Sequence, residues 1–95
     1  MQPARRPETQ AETITVHARF FALYRERVGQ NSLEIGMPEG ATVGLLVEEV
    51  LRRYPEFSPT PSAVVVAVNR EYVAHGHVLA DGDEAAFIPP VSGGA

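Results

Sequence analysis

From Thr13 to Phe20 the chain alternates, with Ile14, Val16, Ala18 and Phe20 apolar and Thr13, Thr15, His17 and Arg19 between them. A period of two predicts a strand buried on one face. His17 then points away from the core. The stretch "LYRERVGQ" ends around Gly29 and predicts a short helical or irregular turn, and "NSLEIGM" predicts a second strand that closes a hairpin-like pair before Pro38-Glu39-Gly40. Thr42 stands where a helix N-cap belongs. From Val43 onward the apolar positions are 43, 46, 47, 50, 51 and 54, one continuous stripe along a helix. Glu48 and Glu49 lie toward Arg52 and Arg53 at i,i+4 on the opposite side. Pro55 ends the helix, and the proline-rich loop "EFSPTPS" comes next.

The run "AVVVAV" is apolar on both sides and predicts a strand central in its sheet. Asn69-Arg70 reads as a turn, "EYVA" as a short strand and Asp81-Gly82 as a second turn before "EAAFIPPV". In that last strand Ala85 and Phe87 face the core, which turns Glu84, Ala86 and Ile88 outward and leaves Ile88 exposed. The order β-β-α-β-β-β places the chain in the α+β class, a mixed sheet packed on one main helix. Pairing of the first and last strands at the centre makes it a β-grasp arrangement. The expected organisation is a flexible leader at 1–12, the β-grasp domain at 13–91 and a flexible Gly-Gly tail at 92–95.

Composition narrows the chemistry. Ninety-five residues suit one small core. With no cysteine, disulfides, Cys-metal sites and thiol catalysis are excluded by inventory. The formal charge of −4, with eight scattered arginines and no lysine, argues against nucleic-acid binding. No apolar run approaches the roughly 20 residues that span a bilayer, and no signal peptide is visible, so a cytoplasmic, membrane-free protein is expected.

The remaining polar clusters are weak as sites. His75-Gly76-His77 offers two imidazoles without an evident third ligand, so a loop is favoured over a metal site. Glu48 and Glu49 diverge by about 100° around a helix and read as a solvated face rather than an acid–base pair. Asp81-Gly82-Asp83-Glu84 is too short for a calcium loop and reads as a turn. No resident metal or stably bound cofactor is expected.

The chain ends "FIPPVSGGA". Pro89 and Pro90 fix φ and remove backbone donors, so they end the sheet and project the last residues away from the body. Val91, Ser92, Gly93 and Gly94 then form a slender probe, its glycines able to pass where no Cβ fits. An outward Ile88 at its root suits partner contact.

Three stretches, "VHARFFALYRERVG", the intervening helix and "VAVNREYVAHGHVLADGDEAAFIPPVSGG", together resemble the MoaD family, the small subunits of molybdopterin synthase, over about residues 13–94. The match is most specific where "VAVN", "L-x-DGDE" and "F-x-PPV-x-GG" occur in order. The resemblance implies a ubiquitin-like fold. It implies that an E1-like adenylating enzyme uses ATP to activate the carboxyl of Gly94, which becomes a thiocarboxylate. The tail then enters the large synthase subunit, in an expected heterotetramer, and gives sulfur to cyclic pyranopterin monophosphate. Phe20, Arg25, Tyr72, Phe87 and Ile88 match positions near the family's partner surface or supporting core, with Tyr72, Ile88 and Arg25 taken for the surface and Phe87 for the core; an ordinary half-buried strand aromatic is the other reading of Tyr72.

Ala95 departs from the family pattern, because it places the Gly94 carbonyl in an amide that cannot be adenylated as a carboxylate can. A precursor residue removed by a peptidase is the expected reading, against a residue added in cloning or a carrier retired from sulfur chemistry. Carriers for thiamine, cysteine or tRNA thiolation share the Gly-Gly end. A ubiquitin-like protein modifier, or a non-catalytic interaction module, is the alternative of another class.

Overall fold

The computed structural model describes residues 13–89. The expected leader and the residues from Pro90 to the end lie outside them. Five strands, β1 (Thr13–Phe20), β2 (Ser32–Pro38), β3 (Val65–Val68), β4 (Glu71–Val73) and β5 (Glu84–Ile88), form one sheet in the order β2-β1-β5-β3-β4. β1 and β5 run parallel, with Ala18 opposite Ala85 and Phe20 opposite Phe87, and every other pairing is antiparallel. The first and last strands are thus central neighbours, and the architecture is a β-grasp.

The alternation expected of β1 holds, since Ile14, Val16, Ala18 and Phe20 are all buried. They meet the apolar stripe of α2 (Val43–Arg53), where Val43, Leu46, Val47 and Val50 are buried and Leu51 and Tyr54 pack against the same cluster. Thr42 is the N-cap, its Oγ1 accepting the Leu45 amide at 3.2 Å. The two amides before it donate to the loop beyond β4, Val43 to the His77 carbonyl at 2.9 Å and Gly44 to the His75 carbonyl at 2.8 Å. Three helix-start donors that would otherwise lack partners are thereby satisfied. The His-Gly-His loop is a backbone cap. The approach is close, since a Cβ at Gly44 would lie at van der Waals contact, 3.4 Å, from the His75 carbonyl oxygen.

Three expectations need adjustment. The segment before Gly29 is a regular helix, α1 (Ala22–Val28), closed by Gly29 at φ 85 with its amide on the Arg25 carbonyl. β5, not β3, is the middle strand, and β3 lies one place from the edge between β5 and β4. Its apolar character on both faces reflects Ala67, buried on the side away from α2, while Val65 at the strand's start stays exposed. On α2 the ion pairs converge on Glu49 alone, with Arg52 at 2.6 Å and Arg53 at 2.8 Å. Hydrogen bonding from Arg52, then from Arg53, holds the Glu49 carboxyl below its ordinary range.

The loop after α2 contributes the most buried side chain that patterning leaves out. Phe57 is fully buried, its ring 4.4 Å from Tyr24, 5.5 Å from Phe87 and 5.9 Å from Phe20 between centroids. This cluster fastens α1 and the loop to the end of β5. Phe57→Ala is expected to destabilise the domain by about 3–5 kcal/mol, checked by urea unfolding, through lost burial and the cavity left behind.

Candidate functional site

Everything the sequence assigns to the tail springs from the end of β5, so the site is built outward from that strand. Its start is fixed by a lock between two turns. Asn69 and Arg70 occupy the two-residue turn of the β3–β4 hairpin, both with positive φ, 51° and 76°, which makes it a type I′ turn. Asn69 Nδ2 donates to Asp83 Oδ1 at 2.9 Å, its Oδ1 accepts the Glu84 amide at 3.1 Å, and its own amide donates to the Glu84 carbonyl at 2.8 Å. Asp83 Oδ2 accepts the Ala80 amide, and Asp81 Oδ1 accepts the Thr15 amide, both at 2.8 Å. Gly82, at φ 86, donates to the Thr15 carbonyl. The acidic tetrapeptide is a turn that holds the entrance of β5 to β1 and to the hairpin.

The register of β5 is as expected, with Ala85 and Phe87 fully buried and Glu84, Ala86 and Ile88 on the outer face. Ile88 is half-buried rather than exposed, because Val65 of β3 stands beside it. It shares a shallow concavity of about 310 Å³ with Phe21, Tyr72 and Arg70. Tyr72 is 73% exposed there, more than a half-buried strand aromatic would be. Arg19 crosses the same face, bonded to Glu84 at 3.0 Å and lying 5.4 Å above the Phe21 ring. The structure therefore brings Tyr72 and Ile88 together. It does not bring Arg25 to them: that residue is exposed on α1 and lines neither this concavity nor the groove beside Pro89. Phe20 and Phe87 are core.

Pro89 lies at the rim of that second groove, about 270 Å³, walled by Leu23, Tyr24 and Pro59. The expected probe residues Pro90, Val91, Ser92, Gly93 and Gly94, and Ala95, lie outside the described residues. Sequence reasoning missed Phe21 and Arg70, and only the turn chemistry at Asn69-Arg70 gave a signal for the latter. Among the described residues no three His, Asp or Glu side chains gather as a metal site, and no helix is long and apolar enough to cross a membrane. His75 Nε2 lies 2.7 Å from the Val64 carbonyl, and His17 Nδ1 lies 3.5 Å from Glu34.

A single sheet gripping one main helix, with its last strand central, defines a ubiquitin-like β-grasp protein. The ThiS family model matches residues 18–94, and the chain belongs to that family. The resemblance to MoaD is borne out by relatives. The molybdopterin synthase sulfur carrier subunit of Mycobacterium tuberculosis is 37% identical over 82 residues, covering 85% of this chain and 99% of that protein. A Haloferax volcanii protein solved in solution superposes with a TM-score of 0.78 at 31% identity, covering 87% of this chain and 89% of its own. SAMP1 of the same organism gives 0.70 at 28% identity, covering 84% and 99%.

The Asn69 lock is testable by charge. Asn69→Asp replaces a donor with a carboxylate facing Asp83, and the expected cost is about 1–3 kcal/mol at neutral pH. Repulsion between the two carboxylates is relieved when one of them takes a proton, so the loss shrinks as pH falls. Unfolding of both proteins across pH checks the sign.

Proposed function

We propose that this chain is the sulfur-carrying small subunit of a molybdopterin synthase, holding sulfur as a thiocarboxylate on Gly94. The observation that carries the reading is the family match, which runs through Gly94 and leaves Ala95 outside it. The likeness to a sulfur carrier subunit over nearly that protein's whole length supports it. The domain is not an enzyme by itself in this reading: it presents a carboxylate, and a partner does the chemistry.

A Gly94 carboxylate oxygen attacks the α-phosphorus of ATP on an E1-like adenylating enzyme, and pyrophosphate leaves. Hydrosulfide, or a sulfur nucleophile equivalent to it, attacks the acyl carbon and AMP leaves, giving C(=O)S⁻. The tail then enters the large synthase subunit, where the thiocarboxylate sulfur bonds to a carbon of cyclic pyranopterin monophosphate and water cleaves the acyl–sulfur bond, returning the Gly94 carboxylate. With Ala95 attached, the Gly94 carbonyl is an amide and offers no carboxylate, so a peptidase acts first. Burial of β5 between β1 and β3 gives the tail a rigid base, and the Tyr72–Ile88 face beside it suits docking.

A second reading, a protein modifier joined through the same carboxyl to amines of other proteins, is favoured by the likeness to SAMP1, a small archaeal modifier protein. Both readings share the activation step and part at the acceptor.

Intact-mass measurement after incubation with the adenylating enzyme, ATP and sulfide should show a gain of about 16 Da, one oxygen exchanged for sulfur, on the form ending at Gly94 and none on the form ending at Ala95. Gly94→Ala in the shorter form should lower ATP–pyrophosphate exchange by an order of magnitude or more with unfolding unchanged, since a Cβ widens a tail end that the adenylating enzyme must admit. Equal conversion with Ala95 still attached would remove the need for processing. Ile88→Asp should weaken binding to the large subunit roughly tenfold or more while leaving cooperative unfolding, as its side chain is on the outer face.

A further inference from the structure

The second position of the β3–β4 turn holds an arginine where backbone geometry favours glycine. Arg70 sits at φ 76, in the left-handed region, as the closing residue of a type I′ turn. Asparagine at the first position suits that conformation, and glycine suits the second, but an arginine Cβ is strained there. The Asn69 lock holds the turn's backbone, but the Arg70 side chain gains nothing inside the domain: among the described residues its guanidinium makes no ion pair or hydrogen bond, whereas Arg19 on the same face is held by Glu84 and stacked over Phe21. Strain retained without an internal partner points outward. Arg70 lines the concavity that also holds Tyr72 and Ile88, so a free planar cation stands at the rim of an exposed apolar contact. The chain carries a net charge of −4, so an acidic partner surface is repelled unless a cation meets it locally.

We propose that Arg70 is a specificity-determining residue of docking, its guanidinium pairing with a carboxylate that flanks the apolar contact on the large synthase subunit. This rests on the proposed function. A guanidinium fork matches a carboxylate with two parallel hydrogen bonds, and its planar face can lie along an aromatic ring such as Tyr72. The charge selects the partner, and the apolar residues beside it exclude water from the contact.

The test compares the full chain with Arg70→Gly and Arg70→Lys by thermal unfolding and by calorimetric binding to the large subunit of the same organism at low and high salt. Arg70→Gly should raise Tm by roughly 5 °C as strain is relieved. It should also weaken binding roughly tenfold at low salt and flatten the salt dependence. Arg70→Lys should keep the salt dependence but recover only part of the binding, since an ammonium cannot form the two parallel bonds, and should show no gain in Tm. A residue with only a structural role would not couple higher stability to weaker, less salt-sensitive binding. Wild-type binding that Arg70→Gly leaves unchanged overturns this inference alone, as does an unchanged Tm. A salt-dependent dimer of the isolated chain, abolished by Arg70→Gly, reassigns the face to a second copy and overturns it too. Absence of wild-type binding to the large subunit overturns the proposed function, and this inference with it.

Discussion

The parallel pairing of β1 with β5 is the constraint on which the rest of the structure depends. It sets His17–Phe20 beside Glu84–Phe87, residues more than sixty positions apart, and everything between them is the connection that a parallel pair demands. α2 spans that connection and covers the face where Phe20 meets Phe87. Two edge additions complete the sheet, β2 outside β1 and the β3–β4 hairpin outside β5. The last strand is consequently held on both sides and on its inner face. A segment leaving it starts from one of the most fixed parts of the domain.

The loops around this pair satisfy backbone groups across long distances. The loop after β4 gives carbonyls to the first amides of α2, and the acidic turn before β5 binds the amide of Thr15 and the side chain of Asn69. Residues that resemble ligand sets in the sequence therefore act as scaffolding. Two histidines supply main-chain oxygens and two aspartates accept main-chain N–H hydrogen bonds, so each of those carboxylates already has a partner inside the fold.

The outer face differs in kind. Tyr72, Phe21 and Val65 leave apolar surface in water. Arg70 holds a strained conformation beside them. The buried apolar side chains are concentrated on one side of the sheet, and the opposite side leaves apolar surface that the proposed carrier role would use.

Much of this was legible along the chain. Alternation in β1 and β5, the α2 stripe, its Thr42 cap and the turn residues determine which side of each element is buried, because periodicity records burial direction locally. The Gly-Gly end and the motifs before it pointed to the family. What the sequence could not carry is the identity of the group met across space. Phe57 lies in a loop without a period, yet it fills the space between Phe20, Tyr24 and Phe87. Glu49 rather than Glu48 takes both arginines because rotation about α2 leaves only Glu49 between them. The loop at His75 became a helix cap only when β4 delivered it to the start of α2. Local pattern fixed which way each residue faces; the tertiary structure decided what it faces, since a distant contact exists only once the chain has closed.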